Sequence, residues 1–154
     1  MSKTLRIGAL YSRGPHFPRM LQQLREAHPD AHITAIVPPE YPRDALEGLA
    51  DAVVVTAQNA QAGGNWKTAF AVLGQIRAGK YAHFVVMFDS LKLRLLVAGS
   101  GAASRYCHTV DGRVIPLSRN PLPALLRALA RSVRGHITYA YIRWVVYHRP
   151  VEKS

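Results

Sequence analysis

The chain has 154 residues, 49% of them hydrophobic, with 20 Lys and Arg against 9 Asp and Glu, a formal charge of +11. That length supplies one hydrophobic core rather than two, and the apolar share supports a folded protein. The positive excess favours partners that carry phosphates or other anionic groups, while the single cysteine, Cys107, excludes an intramolecular disulfide framework and a cysteine-rich zinc site.

In chain order, LRIGALY (residues 5–11) is a short apolar run stopped by Ser-Arg-Gly-Pro, the pattern of a buried strand. It is broken too soon to form the core of a secretory signal, so export is not expected. HFPRMLQQLREAHPD then places Phe17, Met20, Leu21 and Leu24 on one helical face, with Pro18 tolerated in the first turn and Pro29 closing the segment. HITAIV is the second expected strand, and Pro42 can open a short helix in PPEYPRDALEGLA. DAVVVTA is the third. After the flexible connection NAQAGGN, the segment WKTAFAVLGQIRAGK reads as a helix that buries Trp66, Phe70, Leu73 and Ile76. AHFVVMFD is the fourth and most apolar strand, LKLRLLVAG the helix after it, and ASRYCHTV a fifth strand.

Beyond DGRVIPLSRNP the pattern changes. Leu122, Leu125, Leu126, Leu129 and Val133 form one stripe and Arg127, Arg131 and Arg134 the opposite face of an amphipathic helix. Gly135 can end or bend it. HITYAYIRWVVYH suits a strand or a helix; a helix is favoured because it would bury Tyr139, Ile142 and Val146 together. Its apolar run carries Arg143 and falls short of the roughly 20 residues a membrane-spanning helix needs.

This rhythm predicts an α/β fold: a single Rossmann-like three-layer domain with a mostly parallel sheet of about five strands. The domain is expected over residues 1–118, with 119–154 as a basic amphipathic helical segment packed on it. Residues 5–11 and 84–88 are expected side by side at the sheet centre.

In such sheets ligands bind outside the carboxyl ends of the strands, where strand order reverses. The rule singles out residues 12–16, 38–40, 56–58 and 88–92. Ser12, Arg13, Gly14 and His16 stand at a helix N-terminus, where backbone N–H groups and a cation can hold a phosphate or carboxylate; a plain tight turn is the other reading, since Pro15 and Pro18 remove two donors. Asp89 can serve as a base or bind a substrate hydroxyl beside Lys92, yet Asp-Ser is also a good helix cap. The scattered histidines, His28, His32 and His83 among them, have no ligand spacing, so neither metal nor cofactor is expected, and no spaced nucleophile motif assigns a catalytic residue. Arg127, Arg131, Arg134 and Arg143, interleaved with Tyr139, Tyr141, Trp144 and Tyr147, suit an anionic membrane or anion surface as well as a solvated helix face; nucleic acid is the weaker alternative, without a reader motif.

Over residues 5–106, the ordered pattern of LRIGALY with its leucine-rich helix, PDAHIT, LADAVVV and YAHFVVMFDSLKLRLLVAGSGAASRY resembles the N-terminal, acceptor-side half of glycosyltransferases of the heptosyltransferase type. The resemblance implies a Rossmann-like domain that binds a sugar or glycolipid acceptor, with a partner chain supplying the second, nucleotide-sugar-binding domain of a split enzyme. That family carries Gly-Asp after strand one; here SRGPHFP has no acid, and His16 is the replacement the resemblance offers. The expected setting is cytoplasmic, at the inner face of a membrane if the cationic segment binds lipid. Two further functions stay open from the residues: a basic peripheral membrane or nucleic-acid-binding protein without catalysis, and a small autonomous enzyme using Arg13, His16 and Asp89.

Overall fold

Residues 4–11, 15–56, 66–88 and 90–148 are described by the computed structural model. They fall into two units, Met1–Asn120 and Pro121–Ser154.

The first unit is an α/β, Rossmann-like three-layer fold. Its elements are β1 (Arg6–Leu10), α1 (Phe17–Ala27), β2 (His32–Val37), a 3-10 turn (Arg43–Leu46), β3 (Ala52–Val55), α2 (Trp66–Ala78), β4 (His83–Val86), α3 (Leu91–Gly99), β5 (Ser104–His108) and β6 (Val114–Pro116). The sheet order is β3-β2-β1-β4-β5-β6. Every neighbouring pair is parallel except β5 with β6. The expected adjacency of the first and fourth strands holds, with Ile7 opposite His83 and Leu10 opposite Val86.

Successive side chains of a strand point to opposite faces, and here both faces are covered, so the central strands are apolar without interruption. Ile7, Ala9, Ile33 and Val85 meet Phe17, Met20, Leu21 and Leu24 of α1 on one side. Leu10, Ile36, Phe84 and Val86 meet Val72 and Ile76 of α2 and Leu93, Leu96 and Val97 of α3 on the other. The α1 stripe is the one its spacing predicts.

In α2 the buried face differs in part from expectation: Ile76 is buried as expected, but Val72 takes the inward place and Phe70 does not. Val72 and Ile76 are 1% and 0% exposed, whereas Phe70 is 67% exposed. Position 70 lies two residues from Val72 and hence on the far side of the helix, so both cannot face the sheet. The side chain of Trp66 lies outside the described residues.

The sixth strand was not expected. Asp111-Gly112 makes the turn before it: Gly112 sits at φ +80°, its N–H donates to Thr109 O, and Thr109 N–H donates to Arg113 O. A left-handed glycine after Asp is a hairpin signal, but the strand it introduces is three residues long and ends on Pro116, which only an edge strand accepts.

Both ends of α3 are capped by side chains. Ser90 Oγ accepts the Leu93 N–H at its start. At its end Val97 O accepts from Ser100 Oγ (2.7 Å) and from Nε of the buried Arg105 (2.9 Å), a cation where the helix dipole favours one. Burial and the nearby Arg119 hold the Arg105 pKa below its ordinary value.

The second unit holds α4, Leu122–His148, helical without a break through Gly135. Tyr139, Ile142 and Val146, expected to be buried together, are 68%, 55% and 69% exposed. Among the described residues α4 is the single element of its unit, and one helix has nothing of its own to bury a stripe against.

Candidate functional site

The strand order reverses between β1 and β4: β2 and β3 lie to one side, β5 and β6 to the other. The chains leaving the carboxyl ends of β1 and β4 therefore part in opposite directions and leave a crevice. A cavity of about 260 Å³ lies there, lined by Leu10 and Tyr11 from the end of β1 and by Phe88, Ser90, Lys92, Leu93 and Leu96 from the β4–α3 connection and α3.

The lining has a clear division. Leu10, Leu93 and Leu96 are core residues and form an apolar floor. Tyr11 and Phe88 are aromatic walls. Tyr11 is held in place by its backbone N–H, which donates to Ile36 O, and by ring contacts to Phe17 (5.4 Å) and Tyr41 (4.7 Å). Phe17 and Tyr41 close this trio at 5.8 Å. Burial, with the neighbouring Tyr11, pushes the Tyr41 phenol above its ordinary pKa. Ser90 spends an acceptor lone pair on the α3 cap and keeps its O–H to donate. Lys92 is exposed and, among the described residues, has no ion-pair partner. The described lining thus carries one cation and no carboxylate.

Of the stretches singled out from sequence, residues 88–92 reach this cavity through Phe88, Ser90 and Lys92. His16 is the N-cap of α1; its side chain makes no capping hydrogen bond, and it is not part of the lining. Ser12, Arg13, Gly14 and Asp89 lie outside the described residues. The cap weighed for Asp-Ser is made by Ser90. At the end of β3, Thr56 is buried and donates to Val37 O, tying that strand end into the sheet. Arg127, Arg131, Arg134 and Arg143 are exposed on α4. Tyr11 was missed: it closes the first apolar run and reads as the last strand residue, so nothing local marks it as a wall. Leu93 and Leu96 read as helix core, which they are, while also flooring the cavity.

Among the described residues no three His, Cys, Asp or Glu side chains are grouped to hold a metal ion, and no helix is long and apolar enough to cross a membrane. No protein-family model, no curated protein and no solved structure matches the chain significantly.

Proposed function

We propose that this chain is a single-domain relative of the acceptor-binding half of a heptosyltransferase-type glycosyltransferase, acting as a binding module or split-enzyme component that takes a sugar or the sugar of a glycolipid in the crevice at the carboxyl ends of β1 and β4. The observation that carries the reading is the cavity at the strand-order reversal, with two aromatic walls and a cation, Lys92, that has no ion-pair partner among the described residues. Aromatic faces suit the C–H face of a sugar ring, the Ser90 hydroxyl suits its oxygens, and Lys92 suits an acidic or phosphorylated one. At about 260 Å³ the space is below the roughly 300–1,000 Å³ of drug-sized sites. It suits one sugar ring better than a whole nucleotide sugar. The described lining has no carboxylate or imidazole to take a proton from an attacking hydroxyl, so the reading is of binding.

Saturation-transfer NMR with a hexose, a hexose phosphate and a nucleotide sugar tests it. The hexose phosphate should bind, and Lys92→Ala should weaken it about tenfold, the low end for a hydrogen bond to a charged group because the ammonium is exposed. Phe88→Ala should weaken hexose and hexose phosphate alike. No transfer to any of the three, or binding indifferent to both substitutions, rejects the proposal.

A further inference from the structure

We propose that α4 docks in the plane of an anionic lipid bilayer, with its leucine and aromatic stripe toward the acyl chains and its arginines among the headgroups. This inference is independent of the sugar site and rests on α4 alone.

The helix is 27 residues long, about 40 Å at 1.5 Å per residue. At the helical period one stripe runs its whole length through Leu122, Leu126, Leu129, Val133, Ile137 and Trp144. All six side chains are more than half exposed, from 52% at Val133 to 66% at Leu129. A stripe of this kind in water is costly unless something covers it. Arg127, Arg131 and Arg134 project from the other side. There is no Asp or Glu anywhere from residue 112 to residue 148. Charge complementarity therefore selects an anionic cover, and the continuous apolar stripe selects one with a hydrocarbon interior.

The C-terminal half adds the residues that favour a membrane interface. Trp144 and Tyr147 continue the stripe, and Tyr139 and Tyr141 flank it, amphipathic rings suited to headgroup depth. The Arg143 guanidinium lies 5.8 Å from the Tyr147 ring centroid, so the nearest charge to the stripe is accompanied by an aromatic face. Mid-helix polar side chains are satisfied within the helix: Thr138 Oγ1 donates to Arg134 O at 2.9 Å, and His136 Nδ1 is 2.8 Å from Ser132 O. Such internal pairing lowers the cost of a partly apolar setting.

Two other covers fit less well. A coiled coil with a second copy would need a strict heptad seam; continuing the seam of Leu126, Leu129 and Val133 puts His136 and Arg143 inside it. Nucleic acid would neutralise the arginines and leave the leucine stripe in water.

The full chain is sedimented with phosphatidylcholine vesicles with and without phosphatidylglycerol, while tryptophan emission is followed. It should pellet with the anionic vesicles and not the neutral ones, with a blue shift that Trp144→Phe removes. The triple change Arg127→Gln, Arg131→Gln and Arg134→Gln should weaken partitioning about a hundredfold, at roughly fivefold per residue near an anionic surface. Leu126→Glu with Leu129→Glu should abolish it. Circular dichroism of each variant is read first; if the leucine pair perturbs folding, the arginine triplet, which alters exposed side chains, still decides. Absence of binding, equal binding to both vesicle types, or binding unchanged by either set overturns the proposal. So does a lipid-free dimer that the leucine pair dissociates, or salt-sensitive retention of RNA that the leucine pair leaves unchanged.

Discussion

Gly8→Ala is expected to destabilise the first unit, because the centre of the sheet has no room for a methyl group on the face toward α2 and α3. A Cβ built at Gly8 would lie 2.7 Å from Tyr81 Cδ2, 2.8 Å from Tyr81 Cγ and 3.0 Å from Phe84 Cδ2. Ordinary carbon contacts are about 3.5–4.0 Å, so the shortfall is close to 1 Å against two rings at once. Neither ring has space to swing: Phe84 is 0% and Tyr81 6% exposed. The strand cannot retreat either, since β1 is paired to β2 and β4 on both sides. Overpacking of this kind costs about 1–3 kcal/mol, and the lower entropy of alanine in the unfolded chain returns about 0.4–1 kcal/mol. The net loss is about 1–2 kcal/mol, read as a lower urea midpoint with an unchanged slope in circular dichroism. In a Tyr81→Ala background the methyl meets less, and its cost should fall by at least about 1 kcal/mol. A Gly8→Ala midpoint equal to or above that of the parent would refute the close packing of the rings on β1, and with it the tight β1–β4 contact beneath the candidate site.

Ser90→Ala removes the cap of α3 and should cost about 1 kcal/mol in the same urea assay; no loss would show that α3 does not depend on it. His108 is 7% exposed and its buried Nδ1 has no hydrogen-bond partner among the described residues, so burial lowers its pKa below 6.5. The unfolded chain then takes the proton first, and stability should fall as pH drops from 6.5 toward the folded value, by up to about 1.4 kcal/mol per pH unit for one histidine. His83, lowered by burial and by His28, adds in the same direction, and His108→Leu should flatten the profile; a profile unchanged by that substitution refutes the assignment. Asp51 Oδ2 accepts from Arg25 and from the Ile33 N–H, each at 2.7 Å. Burial alone would raise its pKa, but these bonds outweigh it and hold the carboxyl below its ordinary value. Its contribution is present above the unfolded carboxylate pKa and lost as pH falls through the lower folded one, so Asp51→Ala should cost about 1 kcal/mol at neutral pH, discounted for partial exposure, and nothing in strong acid. An equal cost at both pH values would contradict this.

The strands were legible because both-face burial leaves unbroken apolar runs, and Ser-Arg-Gly-Pro, the Pro38-Pro39 pair and similar stops punctuate them. The α1 stripe was legible for the same kind of reason: Phe17, Met20, Leu21 and Leu24 admit one helical face and no other. The α2 face was not, since Trp66-Lys-Thr-Ala-Phe-Ala-Val-Leu carries apolar residues around most of the helix. Which of them turn inward depends on the sheet they meet. Asp111-Gly112 is a local turn signal that was not read from the sequence, and whether Val114–Pro116 pairs with anything depends on β5 having a free edge.

The sequence by itself determined the α/β class, the order of the elements, the basic and apolar faces at the start of α4, and the strand ends worth inspecting, all properties carried by residues within a few positions of one another. Tertiary structure alone decided what surrounds the crevice. Tyr11, Phe88 and Lys92 share a wall because β1 and β4, more than seventy residues apart, run in register. The adjacency of those strands was expected from their apolar character, but which side chains beyond their ends turn into the crevice follows from non-local contacts that no local pattern encodes.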